Sequence, residues 1–254
     1  MVKTFKLLTY NMHCGIGVDR CYDLKRIETI LKEEQPDLIA LQEVDCGVSR
    51  TSHDDQSQYL ADRLSMKNYY CATRSAGAGH YGIAVLSPFR LVHKHEYDLT
   101  YHPKREPRYC FRVDVEVEAG AMLHVFNCHL GLGTRERHYQ RSQMLSEAVL
   151  LSEDLHHPVI LMGDFNDRPL SVVHYQLRRH FTDAFNATGK WWGPTFKVGP
   201  LPIRLDHIYV SPGIRVLDCW VRRDELASVA SDHWPLISRI EVEWPEHREA
   251  VPGN

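Results

Sequence analysis

Short apolar runs alternate with amphipathic stretches along most of the chain. Phe5 to Tyr10 reads as a strand. Between Tyr22 and Glu34, Leu24, Ile27, Ile30 and Leu31 form a stripe at helical spacing. Pro36 breaks that helix, and Asp37 to Gln42 reads as a second strand. The pattern then predicts a helix over Gln56 to Leu64 and a buried strand over Tyr81 to Leu86. Phe111, Val113, Val115 and Val117 alternate with charged or polar residues, Glu118-Ala119-Gly120 supplies a turn, and Met122 to Cys128 runs back, which is a hairpin signal. Thr134 to Leu155 carries a long helical pattern with Thr134 as its N-cap. Val159 to Met162, Ile208 to Val210 and Leu236 to Val242 are further strands. Hairpins mixed with crossover helices argue for an α/β fold with mixed sheets. No linker-like stretch interrupts the pattern before Trp244. We therefore expect one domain over residues 1–244 and a flexible tail over 245–254, where Pro245, Pro252 and Gly253 fall.

The chemistry sits where polar residues end these apolar runs. There are six such ends: Thr9-Tyr10-Asn11, Leu41-Gln42-Glu43, Asn127-Cys128-His129-Leu130, Gly163-Asp164-Phe165-Asn166-Asp167, Arg204-Leu205-Asp206-His207 and Ser231-Asp232-His233. A charged group at the mouth of a buried strand is costly unless it is paired or metal-bound. One such end is usually a capped turn. Six in one chain point to strand ends converging on one site, where α/β folds bind ligands. Asn, Glu and Asp are hard oxygen donors suited to Mg²⁺ or Mn²⁺. No His-x-x-x-His or cysteine pair competes for zinc. Separate histidines near carboxylates suit charge stabilisation and proton transfer.

Composition narrows the partners. The 254 residues carry a formal net charge of −3, without the basic excess usual in proteins that track nucleic acid. The seven cysteines are odd in number and contain no Cys-x-x-Cys, so a disulfide scaffold or cysteine zinc site is not expected and free thiols fit a reducing compartment. Met1 to Tyr10 does not read as a signal peptide, and no apolar run approaches the roughly 20 residues of a membrane span. The expectation is a soluble, cytoplasmic protein; its oligomeric state is not legible.

In this order, Asn11, Glu43, His129, Asp164 with Asn166, Asp206, and Asp232 with His233 resemble the motif series of the endonuclease/exonuclease/phosphatase superfamily. Each motif alone is weak, but the ordered set is specific and spans Leu7 to Leu236. The resemblance implies a four-layer α/β sandwich, with two mixed sheets face to face and helices outside. It implies a magnesium- or manganese-dependent phosphoric ester hydrolase working by in-line attack of water. Carried over, Glu43 becomes the main metal carboxylate, Asn11 supports the metal or binds phosphate, and Asp232 is a further metal-side carboxylate. Asp164 orients or deprotonates the water, and Asn166 donates to a phosphate oxygen. Asp206 holds the imidazole of His233, which stabilises the phosphorane-like charge, and His129 assists the phosphate or leaving group. There is one departure. The DNase branch pairs the histidine equivalent to His129 with a glutamate, and no such glutamate can be placed here.

Weaker signals have plainer readings. Gly77-x-Gly79-x-x-Gly82 matches a dinucleotide fingerprint in letters, but a strand follows instead of a helix, so it reads as a loop entering a strand. His80 in that loop is a candidate for facing the site. Arg105-Glu106-Pro107-Arg108 resembles an element of the DNase branch and makes Arg105 and Arg108 candidate substrate contacts. Arg135, Arg137 and Arg141 read as a solvated helix face, although a helix N-terminus beside the site favours anions. His156-His157 reads as a helix end, Asn186-Ala187-Thr188 as a meaningless sequon, and Trp191 to Phe196 equally as core packing or a substrate wall.

Three functions follow. The first is a phosphodiesterase or phosphatase acting on a small or lipid-derived ester, favoured by charge, by the lack of a long basic insertion and by similarity to a bacterial branch partly linked to phospholipid metabolism. The second is a Mg-dependent endo- or exonuclease. The third is a non-catalytic binding module, which absence of Glu43, Asp164 or His233 would have marked.

Overall fold

The computed structural model describes residues 1–190, 192–197 and 201–244. The first strand, β1 (Val2–Asn11), crosses through α1 (Leu24–Glu34) to β2 (Leu38–Cys46), which lies parallel to it. Next come α2 (Gln56–Leu64) and the hairpin β3 (Lys67–Ala76)–β4 (Gly79–Ser87). An antiparallel meander, β5 (Arg90–Asp98), β6 (Tyr109–Glu118) and β7 (Ala121–His129), leads through α3 (Thr134–Met144) to β8 (Val159–Asp164), parallel to β7. The chain continues with α4 (Val172–Leu177), β9 (Thr182–Asp183), α5 (Ala184–Ala187) and β10 (Asp206–Val210), and closes with β11 (Arg215–Val221), α6 (Glu225–Ala230) and β12 (Leu236–Glu243).

The strands form two six-stranded mixed sheets, ordered β11-β12-β1-β2-β4-β3 and β5-β6-β7-β8-β10-β9. Alternation along each central strand splits its side chains between two apolar layers. Phe5, Leu7, Leu38, Ile83 and Val85 of the first sheet meet Val113, Val125, Ile160, Met162 and Ile208 of the second between the sheets. Leu8, Tyr10, Ile39 and Leu41 face Ile27, Ile30 and Leu31 of α1 and Leu60 of α2. Phe126, Leu161 and Tyr209 face Met144, Val173 and Leu177. Three apolar layers between four layers of secondary structure make the expected four-layer sandwich, with both sheets buried on their central strands.

Most predicted elements are present, with shifted ends. Asp23 caps α1, its carboxylate accepting from Lys25 N–H at 3.0 Å. Three expectations need correction. The helix predicted over Thr134 to Leu155 stops at Met144; Val149 and Leu150 are buried from turns, which mimic helical spacing. Its N-cap is Gly133, and Glu136 folds back on Gly133 N–H. His156-His157 therefore ends no helix. The glycine segment matches its reading as a loop entering a strand, with Gly77 in the β3–β4 turn and Gly82 in β4. The tail expected over 245–254 lies outside the described residues.

Topology explains why the polar ends meet. The parallel pairs β1/β2 and β7/β8 finish at the same edge, with Asn11 beside Gln42 and His129 beside Asp164. The antiparallel neighbours start there: Asp206 pairs with Asp164, and Leu236 pairs with Thr9. Beneath that edge β2 bulges between Leu41 and Val44, and Glu43 takes φ +56°. A positive φ is strained for glutamate and needs surrounding support. Support comes across the sandwich: Asn127 of β7 donates to the carbonyls of Leu41 (3.0 Å) and Ala84 (2.9 Å) beside the bulge, and accepts from Gln42 at 2.8 Å.

Candidate active site

A cleft of about 360 Å³ opens at this edge. Glu43, His129, Asn166, Asp232 and His233 line it, and Asn11, Asp164 and Asp206 lie buried beneath. The geometry thus unites all eight motif residues from both sheets.

Asp164 is the hub. Its Oδ2 accepts from Asn11 Nδ2 at 3.0 Å, and its Oδ1 from the backbone N–H of Asn166 at 2.8 Å. The same Asn11 amide nitrogen donates to Glu43 Oε1 at 3.0 Å, while the Asn11 oxygen accepts from His13 N–H at 3.1 Å. Asn11 therefore braces two carboxylates against each other. Gly163, just before the hub, takes φ +152°, and a Cβ there would sit 2.1 Å from the Cys128 carbonyl oxygen, so only glycine lets β8 pack this closely on β7. Asn166 holds φ +49° and donates its side-chain amide to Leu130 O at 2.9 Å.

Two imidazoles face the hub, His129 Nε2 at 3.5 Å and His233 Nε2 at 3.7 Å from Asp164 Oδ2. They differ in charge. His233 Nδ1 lies 2.8 Å from Asp206 Oδ2; burial opposes its ionisation, but Asp206 and then Asp164 raise its pKa well above the histidine norm. The raised pKa favours the imidazolium, whose Nδ1–H donates to Asp206 while Nε2–H faces Asp164. For His129, burial, then Arg108, then His233 push the pKa well below the norm. Arg108 Nη1 sits 2.9 Å from His129 Nδ1. A guanidinium has no lone pair to offer, so Nδ1 accepts and the proton of this neutral ring is on Nε2, facing Asp164. The expected glutamate partner of His129 is thus replaced by an arginine. Burial raises the Asp164 pKa above the usual carboxylate range, His233 pulls against this, and Asp206 adds to it.

The structure separates the remaining candidates. Arg108 is buried at the cleft wall. Arg105 is exposed on the preceding turn and His80 is exposed on β4; neither lines the cleft. Arg137 is spent on Leu132 O at 2.5 Å and Asp167 at 3.3 Å, and Arg141 on Gln176. Of the aromatic segment, Phe196 covers His233 with ring centroids 4.6 Å apart, Trp192 is exposed under Arg223, and Trp191 lies outside the described residues. Sequence reasoning missed Arg50, Arg74 and Tyr81, which also line the cleft. Their only signal was position, Arg50 following Glu43 within one connection and Arg74 and Tyr81 flanking the glycine turn.

Comparisons with known proteins give the family and the fold. Residues 8–233 match the model of the Endonuclease/Exonuclease/phosphatase family. The chain is 31% identical over 262 residues to the uncharacterized protein YbhP of Escherichia coli strain K12, covering 94% of this chain and 97% of that one. Among solved structures, an endonuclease/exonuclease/phosphatase from Beutenbergia cavernae superposes with TM-score 0.76 at 22% identity, over 94% of this chain and 72% of that one. The mannosyl-6-phosphatase Bt3783 of Bacteroides thetaiotaomicron superposes with TM-score 0.70 at 19% identity, over 93% and 99%.

Proposed function

The chain belongs to the endonuclease/exonuclease/phosphatase family, and from that premise we propose that it is a Mg²⁺- or Mn²⁺-dependent hydrolase of a small or lipid-derived phosphate ester. The observation that carries this reading is the Asn11–Glu43–Asp164 brace faced by one charged and one neutral imidazole in a single cleft. The donor set fits a hard cation. Glu43 and Asp232 open into the cleft, with the carboxylates of Asp164 and Asp206 close beneath. Asp206 Oδ1 is buried without a protein partner. We assign Glu43 and Asp232 to hold the cation, with Asn11 fixing the Glu43 carboxylate. A bound divalent cation would supply Lewis-acid polarisation and neutralise phosphate charge.

The chain's own groups divide the remaining work. Asp164, made more basic by burial, orients the attacking water and accepts its proton. His233, charged and fixed by Asp206, donates from Nε2 to a nonbridging oxygen as negative charge develops. The Nε2–H of His129 donates to the phosphate or the leaving oxygen. Asn166 helps shape the cleft beside Asp164. The net charge of −3 argues against long-range attraction to a polyanion, which favours small esters over nucleic acid. Among the described residues no helix is long and apolar enough to cross a membrane. The seven free cysteines agree with a reducing compartment, and we propose the cytoplasm.

A side-by-side assay at matched, near-physiological salt tests the substrate class. Duplex DNA, single strands and RNA are compared with phospholipid headgroup esters, inositol phosphates and bis-p-nitrophenyl phosphate, each with Mg²⁺ or Mn²⁺. We expect the highest kcat/KM on a small or headgroup ester. Nucleic-acid cleavage far above every ester would reverse the ranking in favour of a nuclease.

A further inference from the structure

We propose that Arg74 and Arg108, set against the Tyr81 ring, form a subsite for a second anionic group on the substrate, and that the Glu106 carboxylate fills this subsite when no substrate is bound; the proposal rests on the hydrolase reading above. Arg50, Arg74, Tyr81, Glu106 and Arg108 line the same cleft as Glu43, His129 and His233. The arginines are not equivalent. Arg50 is committed to the buried Asp45, with Nε at 2.7 Å and Nη2 at 2.8 Å, so its charge is balanced within the protein. Arg74 has its guanidinium carbon 4.4 Å from the Tyr81 ring centroid. Burial, then the charge of Glu43, drives the Tyr81 pKa far above the phenol norm, so the ring presents a neutral flat face for a guanidinium to stack on.

Arg74 and Arg108 share one carboxylate. Glu106 approaches Arg74 Nε at 3.4 Å and Arg108 Nη2 at 3.5 Å, both long for charge-assisted contacts. The Glu106 side chain is 38% exposed, on the turn before β6. Arg74 and Glu106 are both about a third exposed, so their contact contributes little, and an incoming anion that replaced Glu106 would keep the buried Arg108 paired. Two guanidiniums around one weakly held carboxylate leave an excess positive charge in a geometry that suits phosphate. Arg108 also ties the subsite to the chemistry. It is nine-tenths buried, its Nη1 touches His129, and its Nε is buried without a partner. An anion received by Arg74 and Arg108 therefore lies next to the imidazole that faces the scissile group. The substrate class implied is a phosphate ester with a second phosphate a few bonds away, as in a small bisphosphate or along a nucleic-acid backbone.

The test uses two matched pairs of p-nitrophenyl phosphodiesters, those of glycerol and glycerol 3-phosphate, and those of thymidine without and with a 3′-phosphate. Each pair differs only by the second phosphate, and p-nitrophenolate release reads them all. We expect the second phosphate to raise kcat/KM about tenfold or more in the wild type, through KM, on the scale of one charge-assisted hydrogen bond. Arg74→Gln should erase that gain and leave the plain diesters within twofold. Glu106→Gln should enlarge the gain. A gain confined to the thymidine pair supports the subsite and assigns its anion to nucleic acid. Equal rates within both wild-type pairs, or an Arg74→Gln loss shared by plain and phosphorylated diesters, overturn the subsite. If no diester is cleaved, the phosphodiesterase form of the hydrolase reading fails, and calorimetry then decides the subsite alone. Glycerol 1,3-bisphosphate should bind at least tenfold more tightly than glycerol 1-phosphate, and Arg74→Gln should abolish the difference. Equal affinities overturn the subsite.

Discussion

Strand β10 feeds two buried polar networks of opposite character. Its Asp206 points into the cleft edge and holds His233, while Arg204 just before it and His207 just after it enter a second cluster. In that second cluster Arg204 grips Asp183 with two bonds of 2.9 and 3.0 Å and adds Asn186 Oδ1 at 3.0 Å. His207 stacks on His174 at 3.8 Å, and His174 Nδ1 meets Tyr209 OH at 2.6 Å. Burial opposes the Asp183 charge, but His207 and Arg204 hold its pKa well below the carboxylate norm. Burial, chiefly, keeps both histidines below theirs. Here one carboxylate meets one guanidinium and the charges cancel. At the cleft, Asp164 shares its surroundings with Glu43, Asp206 and Asp232 and carries a raised pKa. The two networks have similar residue types and similar burial. What separates them is balance: the closed one holds the fold together, and the open one leaves negative charge for a cation and a substrate to meet.

The largest expected effect is on the closed side. Arg204→Ala leaves the buried Asp183 without its guanidinium and should lower stability by about 3–5 kcal/mol, read by chemical denaturation. Loss of activity at a temperature where Arg204→Ala remains folded would break the contrast. On the open side the outcome reverses. Asp164→Asn and His233→Ala should each cut kcat about a hundredfold or more with stability changed by about 1 kcal/mol or less, as expected where charge is held against the interests of folding. Near-wild-type turnover in either variant would remove that residue from the mechanism.

A third network sharpens the scale. The Glu28 carboxylate joins α1 to α2 through Lys32 at 2.6 Å, Tyr59 at 2.7 Å and Arg63 at 2.9 Å. The Lys32 bond does most to lower its pKa to about 2, burial opposes, and Tyr59 and Arg63 add to the lowering. A folded pKa below the unfolded value stabilises fully above the unfolded value of about 4.5 and is lost as pH falls towards 2. Because Lys32 and Arg63 are half exposed, Glu28→Gln should cost only about 1 kcal/mol near pH 7. The difference from wild type should close between pH 4.5 and 2 in urea melts. A gap that persists at pH 2 would assign the effect to packing.

How much of this was legible in the sequence follows from the same physics. Asn11, Glu43, His129, Asp164 and His233 stood out because each ends an apolar run, where an ionisable or amide group needs a reason. Arg204 and His207 stood out equally, as part of the same strand end as Asp206, and sequence could not say that they turn away from the cleft. For His207 that is a matter of alternation across β10, and Arg204 lies before the strand begins. Arg50 and Arg74 went unseen because arginine ordinarily belongs on a surface. The clamp of Asn127 on the β2 bulge joins residues 86 and 43 positions apart and has no local signature. Strands β3, β5 and β11 escaped because they lie at or next to sheet edges, and the exposed run Glu96, His95, Lys94 and His93 in β5 shows no clean alternation.

The central claim is that Glu43 helps hold a divalent cation without which the open network cannot hydrolyse phosphate esters. The direct measurement is turnover of the best ester after metal is stripped with chelator, followed by titration with Mg²⁺ or Mn²⁺, for wild type and Glu43→Gln. The account predicts no turnover in excess chelator, full recovery on adding metal, and a metal requirement raised about tenfold or more in Glu43→Gln. Full turnover in excess chelator, or an unchanged metal requirement in Glu43→Gln, would contradict it.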